Sequence, residues 1–290
     1  MKPRFQYGGQ AVIEGVMMRG RDSAAIAVRK PSGEISVDVR EIDNSRRPAI
    51  LKAPFVRGTV MLIESLVLGM NALMYSANES ADEEEQLSGG EVALSLVVAL
   101  GLFVLLFIVL PNVIVAFIQK RISSVILVNL IEGALRVAIF IVYLVAISQM
   151  RDIQRVFAYH GAEHKTIAAW EAGEALTVAN ARRHGTAHAR CGTNFLLIVM
   201  LVSVLIYSLL GRQGLVERIV TRILLLPVLA GVSYELLKIA GRPDPSPIVK
   251  WARAPGLALQ RLTTREPDDS MLEVAIVSLQ AVIEKDEAVN

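Results

Sequence analysis

All four histidines of the 290-residue chain, His160, His164, His184 and His188, fall between residues 151 and 192, together with its single cysteine, Cys191. Scatter would rarely put four residues into about one seventh of a chain, so this segment is the first place to look for chemistry. His160, Glu163 and His164 form the pattern His-x-x-Glu-His. If the segment is helical, the i, i+4 histidines share a face and can share a metal. The same order of residues occurs in inverted zinc peptidases, where the histidine pair holds zinc and the glutamate acts on water. Zinc needs a further ligand, and His188, Cys191, Glu171 and Glu174 are the candidates. His188 and Cys191 are spaced i, i+3, and zinc takes imidazole and thiolate together. Arg190, beside Cys191, and Glu171 could also support the ligands from outside. Against a site stand three facts. Three fixed positions in five recur by chance, Gly161 weakens a helix by about 1 kcal/mol, and a cysteine can be a small core residue.

The elements that must carry these residues follow from hydropathy. The chain is 53% hydrophobic and 20% charged, with a mean hydropathy of +0.48. Soluble domains are roughly 45–50% apolar and about 25% charged. Here the excess lies in blocks. A bilayer core of about 30 Å takes about 20 apolar residues in a helix, and four segments meet or approach that: Val92–Ile118, Val125–Met150, Phe195–Leu210 and Ile219–Ala240. Lys and Arg crowd the N-terminal ninety residues, the 151–192 segment and the tail. The two short connections hold only Lys120 with Arg121 and Arg212 with Arg218. By the positive-inside bias, both termini and the histidine segment are expected in the cytoplasm. A net charge of +2 without a basic stripe gives no case for nucleic acid. One cysteine excludes an internal disulfide.

The expected fold is therefore an α-helical polytopic membrane protein of about four transmembrane helices with a small cytoplasmic α+β N-terminal domain. Residues 1–54 read as β-rich. Ala24–Arg29 and Ile35–Val39 have strand character, and Ile35, Val37 and Val39 alternate with polar residues. Residues 55–78 read as an amphipathic helix, packed on that domain or lying in the interface. Residues 79–91 form an acidic linker, 92–241 the four-span bundle, and 242–290 a proline-opened tail ending in an amphipathic helix. The glycine-rich stretch Gly8–Gly20 reads as strand–turn–strand, with Gln10, Glu14 and Arg19 as residues it could lend to a site. Glu132 with Arg136, and Glu235 with Lys238, are charges inside apolar segments, which face a bundle interior or snorkel. Glu235, on the same side as the histidines, is a candidate extra ligand or a partner to one.

Taken in order, GGQAVIEGVMMRG (8–20), LIEGALR (130–136), RVFAYHGAEHKTI (155–167), RCGTNF (190–195), SYELLKIAGR (233–242) and QRLTTREPDD (260–269) resemble the YqhQ-like family of bacterial membrane proteins of unknown function. The resemblance spans almost the whole chain. It implies a multi-pass membrane protein and a metal-dependent enzyme whose motif falls on His160, Glu163, His164, His188 and Cys191, leaving out His184. The leading expectation is a zinc-dependent hydrolase at the cytoplasmic membrane face. His160 and His164 would bind the metal, His188 or Cys191 would complete the site, and Glu163 would act as general base. The substrate would be a membrane-protein segment or a lipid-linked molecule. The competing expectation is a non-catalytic accessory factor for membrane-protein insertion, translocation or quality control, whose partners are the bilayer and other membrane proteins.

Overall fold

Alternating small and branched residues between glycines give four strands, β1 (Gly8–Val12), β2 (Gly15–Arg19), β3 (Ser23–Arg29) and β4 (Ile35–Glu41). They form one antiparallel meander in the order β1-β2-β3-β4. This computed structural model describes residues 5–42, 48–81, 89–211, 213–241 and 246–289. The acidic run Asp82–Glu85 and the tail prolines Pro243 and Pro245 lie outside them. Val12 pairs with Gly15, so Ile13 and Glu14 make a two-residue turn, and Glu14 adopts φ 49°. Gly15 lets β2 lie close against β3: a Cβ there would stand 2.3 Å from Ala27 O.

The sheet is covered on both faces, which explains why β2 and β3 read as continuous apolar runs. Val16, Met18, Ala25 and Ala27 face one core, shared with helices α5 (Arg151–Glu171) and α11 (Asp269–Val289). Val12, Met17, Ala24, Ile26 and Val28 face the other, closed by Ala72, Leu68 and Leu73 of α1 (Val56–Ser80). The tail helix is thus part of the same core as the N-terminal sheet and the histidine segment. Local periodicity marks α11 as amphipathic but carries no information on what it packs against.

Helices, several of them apolar, make up the remainder. α2 (Gly89–Val104), a π-helical turn (Leu105–Val109) and α3 (Leu110–Ile118) run on as one rod. α4 (Val125–Ile147) follows, and after α5 come the short α6 (Val178–Arg182), α7 (Gly192–Ser208), α8 (Leu215–Leu224), α9 (Leu226–Ala240) and α10 (Pro247–Thr263). α7 packs against α4, α9 and α10. Among the described residues, three helices are long and apolar enough to cross a membrane: Val56–Ser80, Gly90–Arg121 and Val125–Ile147. A fourth is added if α8 and α9, bent by 47° at their junction, count as one broken span. This redraws the expected set. Residues 56–80 qualify because Arg57 and Glu64 are the only charges in their first twenty-three positions. α7 has 17 residues, about 25 Å at 1.5 Å per residue. The bend follows from Pro227 in the first turn of α9, which removes one donor from the ladder.

Candidate metal centre

α5 carries His160, Glu163 and His164 as the sequence predicts, on one face of a regular helix. Cys191 comes from the N-cap of α7, where its Sγ accepts from Thr193 N at 3.4 Å. The partial positive charge of a helix N-terminus favours an anionic ligand atom there. One ligand atom from each of His160, His164 and Cys191 lies within 4.8 Å of the other two. His160 Nε2 stands 3.2 Å from Sγ. Tetrahedral zinc, with ligands at about 2.0–2.3 Å, sets its ligand atoms roughly 3.5 Å apart.

Both imidazoles are oriented by backbone. His160 Nδ1 meets Thr263 O at 2.8 Å and His164 Nδ1 meets Thr186 O at 2.5 Å. A carbonyl can only accept, so each Nδ1 carries a proton, and in the neutral ring the lone pair is then on Nε2. This is the usual arrangement around a metal-bound histidine. His164 is 1% exposed, and its Nε2 is buried with no hydrogen-bond partner. Such an orphaned acceptor is costly unless something binds it, and a cation at this point would satisfy it. Glu163, 7% exposed at its side chain, places Oε2 3.8 Å from His160 Nε2 and 4.0 Å from His164 Nε2. The donor set therefore fits a metal: three ligand atoms of the types zinc prefers, with a carboxylate beside them.

Two glycines make room for the centre. Gly161 lets the backbone of residues 263–266 lie across α5: a Cβ there would stand 2.1 Å from Arg265 O. This strap is tied down by Arg265 N donating to Phe157 O at 2.8 Å. Its Glu266 receives the buried Lys165, whose Nζ also donates to Arg182 O and His184 O. Gly9 of β1 performs the same service for Glu163, since a Cβ would stand 2.9 Å from the Glu163 Cγ. The loop bearing Thr186 and His188 is held by a buried amide. Gln260 Oε1 accepts from His188 N at 2.8 Å, and its Nε2 donates to His188 O at 2.8 Å and Asn194 Oδ1 at 3.1 Å.

The other sequence candidates are placed around this core. The His188 ring centroid lies 5.6 Å from that of His164, but its Nε2 faces Glu171 Oε2 at 3.2 Å. Glu171 also pairs with Arg190. Burial pushes the Glu171 carboxyl up, but hydrogen bonds from His188 and Arg190 outweigh it and hold it below the ordinary carboxylate value. These three form a polar rim beside the ligands. Glu174 serves His184 at 3.2 Å. Glu235 is taken by Arg57 at 2.5 and 2.7 Å, and so ties α9 to α1. In the glycine-rich segment, Glu14 binds Arg155 at 2.5 and 2.6 Å and Tyr159 at 3.3 Å, pinning the turn onto α5. Burial first, then Glu14, raises the Tyr159 hydroxyl well above its ordinary value. Arg19 pairs with Glu64 at 3.0 Å, and Gln10 lies against Gly69. The segment reaches the centre through Gly9 instead. Gln260, Asn194, Thr263 and Arg265 carry no chemical pattern that singles them out in the sequence. Their segments are visible there only as pieces of the family resemblance.

Residues 53–285 match the family described as "Protein of unknown function (DUF1385)". The chain is 34% identical over 295 residues to the uncharacterized protein YqhQ of Bacillus subtilis (strain 168), covering 96% of this chain and 92% of that one. No solved structure matches. The chain thus belongs to the DUF1385 family, and it is similar to the YqhQ protein over 92% of that protein's length.

Proposed function

We propose that the protein is a polytopic protein of the bacterial inner membrane with a zinc-dependent hydrolytic centre at the cytoplasmic face, acting on a membrane-protein segment or a lipid-linked substrate. The observation that carries the reading is the convergence of two Nδ1-anchored imidazoles and a thiol on one point, with one buried Nε2 unpartnered and a carboxylate within 4.0 Å. A set of three protein ligands matches catalytic zinc, which keeps its fourth position for water, rather than the four-ligand structural kind. Zinc held by His160, His164 and Cys191 would supply Lewis acidity. Glu163 Oε2 would take a proton from the attacking water and return it to the leaving group. Thr263 and Thr186 carbonyls hold the imidazoles in the tautomer that ligates.

The membrane setting draws on the inverted pattern of the helices. α8 buries Arg218 and Arg222 while exposing Val216, Val220 and Leu224. α2 exposes Leu94, Val97, Val98 and Leu100. Exposed apolar surface on this scale calls for a lipid or protein partner. Cys191 opens α7, so the centre sits where an apolar helix begins, within reach of a substrate held at the interface.

The test is metal content of detergent-purified protein by mass spectrometry. About one zinc per chain is expected, lost in the double variant His160→Ala, His164→Ala. A well-folded preparation without stoichiometric metal overturns the reading. Glu163→Gln should keep zinc and lose hydrolysis of a panel of peptide and phospholipid substrates. Zinc retained by the parent with no hydrolysis in that panel points instead to a structural site in an accessory factor.

A further inference from the structure

A second group of buried charges lies away from the histidines, inside the apolar bundle. Glu132 of α4 is 1% exposed and receives Arg222 at 3.2 Å on both oxygens and Arg136 at 2.9 Å. Arg218 approaches it at 3.9 Å. Among the described residues, this single carboxylate answers three guanidinium groups, of which Arg218 and Arg222 are 3% exposed. The remaining partners are neutral. Arg218 donates to Gln119, Arg222 to Gln213, and Arg136 to the Phe107 carbonyl of the π-helical turn. Arg222 also stacks on the Tyr207 ring at 3.8 Å. The Arg218 Nε is buried with no hydrogen-bond partner. Two positive charges in excess within an apolar bundle are expensive to keep unless an anion joins them.

Arg136, Arg222 and Tyr207 also wall a cavity of about 370 Å³. Its other walls are almost wholly apolar, among them Phe103, Phe107, Phe140 and Met200. It runs from Tyr207 to Leu196 along α7, eleven residues or about 16 Å at 1.5 Å per residue. Ala99 and Phe103 on its rim are exposed, so it opens on the apolar outside of the bundle. A cationic end and a long apolar barrel together describe the complement of one kind of molecule.

We propose that this cavity binds an anionic phospholipid, with its phosphate on Arg136 and Arg222 and a hydrocarbon chain along the barrel. Arginine presents paired donors that match phosphate oxygens, and the phosphate charge offsets the guanidinium excess. The site shares no residue with the histidine centre. The inference rests only on the reading of the bundle as membrane-embedded.

The test uses the full chain, first scored for extraction from membranes by detergent but not by alkaline carbonate. A chain that washes off would refute the membrane reading itself. Delipidated protein is then titrated with dioleoyl phosphatidylglycerol or dioleoyl phosphatidylcholine and read by native mass spectrometry. One phosphatidylglycerol per chain should bind about tenfold more tightly than phosphatidylcholine, the size of one charge-assisted contact. Arg136→Gln should remove the preference while Arg222 still neutralises Glu132. Ala99→Trp fills the mouth without touching the arginines, and should weaken binding of both lipids about tenfold in a protein that still folds. Equal retention of the two lipids by the parent, or unchanged binding by Ala99→Trp, overturns the proposal. So does displacement of the lipid by millimolar inorganic phosphate, which would make the site one for the free anion.

Discussion

Replacing Gly161 by alanine is the sharpest probe of how the centre is assembled. In an ordinary helix this change stabilises by about 1 kcal/mol. Here the new methyl would stand 2.1 Å from Arg265 O, against 3.4 Å for ordinary contact, so the strap must retreat about 1.3 Å. A retreat of that size breaks the 2.8 Å bond from Arg265 N to Phe157 O and strains the 2.8 Å bond between His160 Nδ1 and Thr263 O. Two such bonds are worth about 1 kcal/mol each, and crowding a packed contact costs about 1–3 kcal/mol. Set against the helix gain, Gly161→Ala should lose about 2–4 kcal/mol of stability. With His160 less firmly held, zinc retention should fall by about tenfold or more. Stability is read by denaturant unfolding in detergent, and zinc retention by competition with a fluorescent chelator. Gly185→Ala is the control, because nothing lies within 4 Å of a Cβ there. If Gly161→Ala is more stable than the parent and keeps its zinc, the strap does not lie on α5 as described and the account of the centre fails.

Gln260→Ala removes three hydrogen bonds from a fully buried amide. It should destabilise by about 2–3 kcal/mol and raise the sensitivity of the 184–190 loop to limited proteolysis. Glu132→Gln leaves three guanidiniums around a neutral amide, and a loss of about 3–5 kcal/mol is expected, measured by thermal unfolding in detergent. Asp268 caps α11, its Oδ1 accepting from Met271 N at 3.0 Å and Ser270 Oγ at 2.6 Å. Asp268→Ala should cost about 1 kcal/mol. Burial raises the Asp268 carboxyl, but these hydrogen bonds outweigh it and depress the pKa. The cap's contribution is therefore complete above the unfolded value of about 3.9 and fades as pH falls through the lower folded value. Parent and variant unfolding curves should converge in strong acid and separate near neutrality.

The features legible in the sequence are the local ones. The hairpin in Gly8–Gly20, strands β3 and β4 and the helical face bearing His160, Glu163 and His164 are all patterns of near neighbours, which is what periodicity records. Cys191 is a candidate on chemistry, because thiolate and imidazole suit the same metal, and it does converge on the histidines. His188 is an equal candidate by spacing. Its Nε2 instead faces Glu171, seventeen residues back, a pairing that no spacing rule distinguishes from a shared metal. Residues 55–78 read as amphipathic because five apolar positions share a face. The other faces are apolar too, and one of them covers the sheet. The strap has no sequence signal because what it contributes is a carbonyl oxygen and a close approach. Gly161, which counts against the motif as a weak helix former, is the residue that admits it.

The core joining β2, β3, α5 and α11 is built from residues 16–27, 158–169 and 271–282, segments more than a hundred residues apart. A ribosome adding about 5–20 residues per second finishes the sheet at Glu41 some tens of seconds before Val289 is added. Throughout that interval Val16, Met18, Ala25 and Ala27 lack the helix that seals them. The unit can close only once α11 has been made. Translation stopped short of α11 would leave an open apolar face, so truncated products should be caught by chaperones and proteases while full-length chains escape them.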